Sequence, residues 1–377
     1  MRITGGEVFT VRDGEARGAR TQGRFEKRDV YIGADRTFAS GPAPADDEVI
    51  DASGCYVIPG LVDVHVHGCM GHDFSDANEE GLREMAAYQF AHGVTSFCPT
   101  SMTFPEERLA AIYKTAGCVP DDGAHAYVAG IHMEGPFVSL AKKGAQNPKY
   151  ITAPDMAMLD RLLEEAAAPV RVVTVAPEID GALDLIERFH DRVHLSLGHS
   201  AASYDVAREA FERGADRVTH LYNAMLPFRH REPGIVGAAA EREDAFVELI
   251  CDGLHVHPSA IRATFALFGA HRVVLVSDSM RATGLPDGTS ELGGQVVYVR
   301  GRSATLEDGN LAASVSSLMT CMRCVVEFGI PLEDAVLAAA TNPARSIGLG
   351  GKLGVIREGA RGNAVILNRD LEVVRVI

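Results

Sequence analysis

The hydrophobic positions in the middle of the chain alternate between two spacings. Eight short apolar runs have the composition of strands that are buried on both faces. They lie at residues 57–66, 94–99, 127–133, 170–176, 193–197, 217–219, 246–251 and 273–277. Most intervals between them have apolar residues at helical spacing, at residues 79–92, 105–116, 154–168, 182–190, 204–214 and 259–268. The interval between the sixth and seventh runs has no clear pattern. The alternation predicts an α/β fold, a (β/α)8 TIM-type barrel, with a doubly wound sheet as the alternative.

The two ends of the chain have a different pattern from the middle. Short strand-like runs, separated by Gly and Asp, occur at residues 2–10, 29–32 and 48–51. Similar runs return at residues 364–368 and 371–377. We therefore expect a small β-sandwich domain built from residues 1–55 plus 350–377, with the barrel in residues 56–349.

Composition and charge narrow the class of partner. The chain has 377 residues, 46% of them apolar, and a net charge of −15. Binding to a phosphate backbone depends on clustered Lys and Arg, so we expect no nucleic-acid partner and no anionic membrane partner. No apolar stretch approaches the ~20 residues of a spanning helix, and the start lacks the apolar core of a signal peptide. These features favour a globular enzyme that acts on a small molecule.

The seven cysteines indicate a reducing compartment. An odd number spread along the chain fits free thiols in the cytoplasm better than a disulfide framework. Cys321 and Cys324 form a lone Cys-x-x-Cys pair inside a helix-like segment, which we assign to the core rather than to a metal site.

The carboxyl ends of the predicted barrel strands have residues that bind divalent metals. In a (β/α)8 barrel these ends face the active-site mouth. His65 and His67 end the first run and share one face, because side chains alternate along a strand. Other ligand-type residues end the third, fifth, sixth and eighth runs: Glu134, His199, His220 and Asp278. Any one of them alone would more often be a packed or solvated residue, but together they predict a divalent-metal centre. His132 shares a face with Glu134, and it either orients a ligand or is a satisfied interior histidine.

Several motifs resemble those of a known family. The segment Pro59-Gly60-Leu61-Val62-Asp63-Val64-His65-Val66-His67-Gly68 is similar to the opening signature of the amidohydrolase superfamily. Further motifs resemble, in order, those of its amino-sugar-phosphate deacetylase branch: His132-x-Glu134-Gly135-Pro136, Lys142-Lys143-Gly144-Ala145-Gln146-Asn147-Pro148, Gly198-His199-Ser200, Thr219-His220-Leu221-Tyr222-Asn223-Ala224-Met225, Arg231-Glu232-Pro233-Gly234 and Asp252-Gly253-Leu254-His255. The resemblance runs from about residue 52 to residue 349 and extends to the β-rich ends.

The resemblance implies a binuclear metal site. Glu134, His199 and His220 would hold the primary divalent metal. His65 and His67 would hold a second one, with Glu134 as the bridge. The His-rich ligand set favours Zn²⁺, and Fe or Mn are the alternatives.

The implied activity is hydrolysis of the acetamide of N-acetyl-D-glucosamine 6-phosphate to glucosamine 6-phosphate and acetate. Metal-activated hydroxide would attack the acetyl carbonyl, with Asp278 as the catalytic acid and base. One alternative is deacetylation of another N-acetyl amino-sugar phosphate, such as N-acetylgalactosamine 6-phosphate. A catalytically inert sugar-phosphate binder is the other alternative, and the complete ligand set disfavours it.

The same resemblance implies the substrate contacts. Four residues map to the family's phosphate site: Asn223, Ala224, Arg231 and His255. Arg231 would reach across the interface of a homodimer. Gln146 stands where the family usually has a His that positions or polarises the acyl carbonyl, and Gln donates a hydrogen bond without carrying charge. Either the second metal polarises the carbonyl here, or the substrate preference has shifted. Leu311 is expected near the acetyl pocket.

Overall fold

The computed structural model of the chain describes residues 1–12, 21–41 and 48–377. The strands, numbered in chain order, are β1 (Arg2–Thr4), β2 (Glu7–Arg12), β3 (Gln22–Lys27), β4 (Val30–Ile32), β5 (Phe38–Ala39), β6 (Val49–Asp51), β7 (Tyr56–Pro59), β8 (Leu61–Val66), β9 (Gly68–Cys69), β10 (His72–Asp73), β11 (Val94–Ser101), β12 (Tyr127–Val128), β13 (Ile131–Glu134), β14 (Val170–Val175), β15 (His194–Leu197), β16 (Arg217–Val218), β17 (Phe246–Ile250), β18 (Val273–Val276), β19 (Gly288–Leu292), β20 (Gln295–Arg300), β21 (Ser303–Thr305), β22 (Ala364–Leu367) and β23 (Val373–Val376). The α-helices are α1 (Glu79–Ala91), α2 (Glu106–Thr115), α3 (Met156–Glu165), α4 (Ala182–Phe189), α5 (Tyr204–Glu212), α6 (Gly234–Glu241), α7 (Pro258–Phe268), α8 (Leu318–Glu327), α9 (Leu332–Val336) and α10 (Asn342–Ser346). Short 3₁₀ turns lie at Phe74–Asp76 and Leu140–Lys142, and a π-helical turn, Leu337–Thr341, joins α9 to α10.

Eight parallel strands form a barrel. Each strand is hydrogen-bonded to the next in the order β8, β11, β13, β14, β15, β16, β17 and β18. A parallel bridge between Val66 and Ser279 joins the carboxyl end of β8 to the residues that follow β18, which closes the ring. Three backbone hydrogen bonds accompany the bridge: Asp278 N donates to His65 O at 3.0 Å, and the N–H groups of His67 and Gly68 both donate to Ser279 O at 2.9 Å. The predicted barrel is confirmed, and the alternative of a doubly wound sheet is wrong.

Helices pack around the barrel because each presents apolar side chains to it. In α3, Asp155 caps the first turn, and the buried Leu159 and Leu162 lie on one face. Helix α6 fills the interval that has no clear sequence pattern. Its residues are almost all apolar and buried, so no polar face creates a helical period. Within the described part of the chain, no helix is long and apolar enough to cross a membrane.

The two ends of the chain form two further sheets. A four-stranded sheet has the order β5-β4-β1-β6, and a five-stranded sheet has the order β23-β22-β7-β2-β3. Apolar side chains from both sheets pack into one cluster, among them Ile3 and Ile50 from the first and Val8, Val57 and Ile366 from the second. The expected sandwich of the two ends is therefore present, while its division from the barrel at residues 55 and 350 stays a prediction.

A three-stranded antiparallel sheet follows the last barrel strand, and the sequence patterns did not predict it. It consists of β19, β20 and β21, and we call it the mouth sheet. Leu292 and Val297 on its inner face pack with Met102 and Ala145, which lie beside the carboxyl ends of the barrel strands. Val296, on the outer face of the same strand as Val297, is 52% exposed. The mouth sheet thus forms one wall of the barrel mouth.

Candidate metal centre and active site

The predicted metal-type residues converge at the carboxyl end of the barrel. They stand at or just after the carboxyl ends of five barrel strands: His65 and His67 (β8), Glu134 (β13), His199 (β15), His220 (β16) and Asp278 (β18). All six side chains are buried. A cavity of about 650 Å³ opens above them, and five of the six line its floor, with His65 lying beneath. The residues that lie far apart in the sequence therefore form one cluster.

One half of the cluster is Glu134 with two imidazoles. Glu134 Oε1 lies 3.1 Å from His199 Nε2 and 3.0 Å from His220 Nε2. The two Nε2 atoms are 3.0 Å apart. Three ligand atoms that converge in this way are typical of a site for a divalent cation.

The other half is the pair His65 and His67 with Asp278. Asp278 Oδ1 lies 3.5 Å from His65 Nε2 and 3.3 Å from His67 Nε2. Glu134 also faces this pair, because its Oε1 is 3.3 Å from His65 Nε2 and its Oε2 is 3.3 Å from His67 Nε2. Glu134 therefore lies between the two halves, in the position of a bridging ligand.

The hydrogen bonds behind the imidazoles show that the residues fit a metal. The Nδ1 atoms of His65, His67 and His199 face acceptors: Glu248 Oε2 at 3.0 Å, Thr100 O at 3.2 Å and Lys142 O at 2.9 Å. A neutral imidazole carries one N–H, so these acceptors place the proton on Nδ1 and leave the Nε2 lone pair directed into the cluster. Nitrogen and carboxylate donors without a thiolate suit Zn, Fe or Mn.

Three cluster residues have a strained backbone. His199, His220 and Asp278 have φ values of 47°, 26° and 48°, which L residues rarely adopt. Neighbouring loop segments pair with two of these residues, since Ser139 N donates to His199 O at 2.8 Å and Ser314 N donates to Asp278 O at 2.9 Å. Such strain, held by the surrounding structure, is typical of functional sites.

Burial and neighbouring charges shift the acid–base properties of the cluster. Burial disfavours the charged forms, but hydrogen bonds to Asp278 and Glu134 outweigh it and raise the pKa of His67 to about 9. Burial also favours the neutral acid at Asp278, yet the His65 and His67 imidazoles lower the pKa of Asp278 below its ordinary value. These shifts favour a protonated His67 imidazole beside an ionised Asp278 carboxylate at neutral pH.

His132 is a satisfied interior residue. Its Nδ1 lies 3.0 Å from Val64 O, and its Nε2 lies 2.8 Å from Thr174 Oγ1. Burial and the nearby His65 lower the pKa of His132 to about 3, so the ring is neutral. Because both ring nitrogens are engaged, His132 offers no free ligand atom, although it packs against the His65 ring with centroids 4.5 Å apart.

Gln146 is held within the protein at both ends of its amide. Its Nε2 donates to Glu134 Oε2 at 2.6 Å, and its Oε1 accepts from Thr103 N at 2.8 Å. The side chain lines the cavity but is only 1% exposed. The geometry thus joins Gln146 to the Glu134 carboxylate, and the contact with the acyl carbonyl stays a prediction.

The other predicted substrate residues are divided between two places. Asn223, Ala224, His255 and Leu311 line the cavity together with the catalytic-type residues. His255 is oriented by Asp252, whose Oδ2 lies 2.8 Å from its Nδ1. Arg231 does not line this cavity. It lies on an exposed loop and borders a separate surface hollow, so in a single chain it is apart from the four.

The sequence patterns missed two groups of residues at this site. Lys143 lines the cavity, and among the described residues around it this is the one ammonium or guanidinium group. Glu248 and Arg217 lie beneath the cluster in the barrel interior, both fully buried. The signal that could have found the second group is a charged residue within a short, otherwise apolar barrel strand, because a buried charge needs a partner.

Comparison with known proteins agrees with the family resemblance of the sequence motifs. The sequence profile of the amidohydrolase family matches residues 56–377. N-acetylglucosamine-6-phosphate deacetylase of Bacillus subtilis (strain 168) is 36% identical over 340 residues, which is 89% of this chain and 86% of that protein. N-acetylgalactosamine-6-phosphate deacetylase of Escherichia coli O157:H7 is also 36% identical, over 336 residues, or 88% of this chain and 89% of that protein.

Solved structures agree with the sequence comparison. The N-acetyl-D-glucosamine-6-phosphate deacetylase of Mycobacterium smegmatis, determined as a mutant in complex with N-acetyl-D-glucosamine-6-phosphate, superposes with a TM-score of 0.86 at 33% identity. The match covers 100% of this chain and 97% of that chain. The enzyme of the same name from Thermotoga maritima gives a TM-score of 0.85 at 31% identity, covering 100% and 98%.

Metal binding is expected to release protons. His67 has a pKa of about 9 in the metal-free protein, so it is protonated at pH 7 and must lose that proton to become a ligand. Affinity for Zn²⁺ should therefore increase as the pH rises from 6 towards about 9. Calorimetric titration of apoprotein with Zn²⁺ in buffers of different ionisation enthalpy measures the released protons. A His67→Asn variant should release fewer, a His125→Asn control should match the wild type, and equal release by all three would contradict the assignment.

Loss of the Gln146 amide is expected to weaken metal binding. Gln146→Ala removes the donor that orients Glu134 Oε2, and changes to such outer partners typically lower metal affinity by roughly 10–100-fold. Competition with a chelator measures the affinity. Asn147→Ala is the matched control, because Asn147 is the neighbouring amide, is only partly buried and accepts from Lys149 N instead of contacting Glu134. If Gln146→Ala kept full metal affinity and lost only turnover, a direct substrate role would replace this one.

Proposed function

Because this chain belongs to the amidohydrolase family, we propose that it hydrolyses the acetamide of N-acetyl-D-glucosamine 6-phosphate, with glucosamine 6-phosphate and acetate as products. The observation that carries the proposal is the cluster itself: Glu134 lies between two pairs of imidazoles, with Asp278 beside them, at the floor of a cavity. Relatives that are named for this reaction match nearly the whole chain.

The proposed ligand set has two halves. Glu134, His199 and His220 would hold the primary divalent ion, and His65 with His67 would hold a second, bridged by Glu134. A bound divalent ion lowers the pKa of a coordinated water towards about 7 and polarises a carbonyl oxygen. We propose Zn²⁺ in both positions, with Fe or Mn as the alternatives, since the ligand atoms are imidazole nitrogens and carboxylate oxygens.

Asp278 is the proposed catalytic acid and base. Its carboxylate is ionised at neutral pH, because its pKa lies below the ordinary value. It can therefore accept a proton from the attacking water and then donate that proton to the nitrogen of the departing amine. Water supplies the oxygen for acetate, the C–N bond breaks, and the carboxylate returns to its starting state.

The cavity wall supports a phosphorylated sugar as the substrate. Asn223, Ala224 and His255 are the proposed phosphate contacts, Leu311 is the proposed acetyl-pocket residue, and Lys143 adds a cation to the lining of the same cavity. A local positive group is needed because the chain as a whole carries a net charge of −15.

We also propose that the protein is a cytoplasmic homodimer. Arg231 lies on an exposed loop outside the cavity of its own chain, as expected for a residue that contributes to a neighbouring subunit's phosphate site. Arg suits that role because its guanidinium binds phosphate through two parallel hydrogen bonds. All seven cysteines are free thiols, which supports a reducing compartment.

A second candidate substrate is N-acetylgalactosamine 6-phosphate. The Escherichia coli relative named for that substrate is as similar to this chain as the Bacillus subtilis one, at 36% identity. Gln146 also replaces the family's usual His, which leaves room for a shifted preference. The mechanism would be unchanged, since only a hydroxyl configuration differs.

The substrate proposal is tested by acetate release from three sugars. N-acetylglucosamine 6-phosphate should turn over fastest, the galacto epimer more slowly, and unphosphorylated N-acetylglucosamine least, because it lacks the group that the cationic wall binds. Removal of metal by a chelator should abolish turnover, and added Zn²⁺ should restore it. Faster turnover of the galacto epimer would move the assignment to that substrate. Metal-loaded protein that releases acetate from none of the three would refute the deacetylase proposal.

Asp278→Asn is expected to abolish turnover while leaving metal bound. The amide cannot accept and return a proton, and loss of general acid–base catalysis costs about 10²–10⁴-fold in rate. Metal content by mass spectrometry and acetate release measure the two properties separately. Asp122→Asn is the control, because Asp122 is an exposed carboxylate that also contacts a histidine, His125. Near-normal turnover by Asp278→Asn would exclude the assigned role.

A further inference from the structure

Glu248 is a buried charged residue in the middle of barrel strand β17. It is 0% exposed, and its neighbours along the strand are apolar. Its Oε2 lies 3.0 Å from His65 Nδ1, and its Oε1 accepts from Arg217 Nη2 at 2.5 Å. A buried carboxylate is costly unless it is paired, so Glu248 depends on these two partners.

The contact with His65 decides which ring nitrogen faces the cluster. The Glu248 carboxylate can only accept, so His65 must carry its proton on Nδ1. Its Nε2 then presents a lone pair towards His67 and Asp278, where a ligand is needed. The opposite tautomer would place an N–H there and exclude a metal ion.

The same carboxylate also contacts the other half of the cluster. Glu248 Oε2 accepts from the backbone N–H of His220 at 3.3 Å, and Leu221 N donates to the Glu248 backbone O at 2.8 Å. His220 Nδ1 is buried without a hydrogen-bond partner among the described residues. The contact with Glu248 is therefore one of the restraints on His220, beside Asn223 N, which donates to His220 O at 3.0 Å. One residue thus restrains a ligand in each half.

Arg217 fixes the carboxylate in turn. Its Nη1 donates to both the backbone O and Oγ of Ser346 at 2.9 Å, which anchors the guanidinium to α10. Glu248 therefore cannot rotate away from His65 without leaving a buried guanidinium unpaired. Buried ion pairs contribute little net stability compared with apolar residues of similar size, which favours a positioning role for this one.

We propose that Glu248, held by Arg217, is a positioning residue that sets the tautomer of His65 and thereby allows a divalent ion to load into the half formed by His65 and His67. The inference rests on the binuclear site of the proposed function. It adds a residue that contacts neither the substrate nor the ion and that acts through the ligands.

Glu248→Gln separates the tautomer role from simple packing. The variant has nearly the same shape, but its single amide oxygen cannot serve both Arg217 and His65. Arg217 can only donate, so it captures the oxygen, and the amide N–H₂ faces His65 Nδ1 and favours the wrong tautomer. We expect Zn²⁺ affinity in the His65–His67 half to fall by about 10–100-fold, leaving about one tightly bound ion per chain.

Two double variants remove the buried charge and differ only in the acceptor. In Arg217→Met/Glu248→Gln the amide oxygen is free to face His65, so the second ion should return. In Arg217→Met/Glu248→Leu no acceptor faces His65, so the second ion should stay lost. Both lack an unpaired buried charge, which keeps them foldable. Asp216→Asn is the control, because Asp216 pairs with His194 Nδ1 at the opposite end of the barrel.

Metal content and chelator competition on apoprotein reloaded with Zn²⁺ measure the outcome, with thermal unfolding of the apoproteins recorded in parallel. The proposal is supported if the wild type, the control and the double Gln variant each hold two ions while Glu248→Gln and the double Leu variant each hold one. Two tight ions in every variant overturns it while leaving the proposed function intact, as does a folded double Gln variant that stays at one ion. A single ion in the wild type overturns both this inference and the binuclear site.

Discussion

The closure of the barrel between its first and last strands is the constraint on which the site depends. Asp278 N donates to His65 O, and His67 N donates to Ser279 O, so the ends of two strands that are distant in the sequence share one short stretch of backbone pairing. This pairing places the Asp278 carboxylate within 3.5 Å of both His65 and His67. Asp278 has a positive φ of 48° at this point, a conformation that the surrounding packed structure holds in place.

Charge is arranged in layers along the barrel axis. The lowest layer pairs the Arg217 guanidinium with Glu248, and the middle layer holds imidazoles between Glu134 and Asp278. The middle layer combines ionised carboxylates with imidazoles, and the Nδ1 atoms of His65, His67 and His199 are already engaged. It therefore needs protons or cations to balance its negative charge. The raised pKa of His67 has the same cause, because the Asp278 and Glu134 carboxylates favour its protonated form. A bound divalent ion would supply this positive charge, and the imidazoles would then not need to be protonated.

The sequence predicted the parts of the molecule that follow from local patterns. The alternation of strands and helices predicted the barrel, and the period of two along a strand correctly predicted that His65 and His67 share a face. Patterns could not reveal α6, because its residues are almost all apolar and buried and no polar face marks a helical period. They also did not reveal the mouth sheet, which follows the last barrel run. They also missed Glu248 and Arg217, because a single charge within an apolar strand acquires meaning only when its partner across the barrel is known. Arg231 lies outside the cavity of its own chain, and a pattern along one chain cannot test the proposed role of Arg231 in a second subunit.

Gln146 and Glu248 each form a hydrogen bond that orients one proposed metal ligand, and they do so from opposite sides of the cluster. Gln146 donates to Glu134 Oε2 from the cavity wall, and Glu248 accepts from His65 Nδ1 from the barrel interior. Each bond fixes the orientation of its ligand. The geometry of the cluster therefore depends on the neutral and charged partners around the proposed ligands as well as on the ligands themselves. A His at position 146 could also donate to Glu134, but it would titrate near neutral pH. With Gln there, this bond persists at any pH at which Glu134 is ionised, and the site remains organised while protons leave the imidazoles.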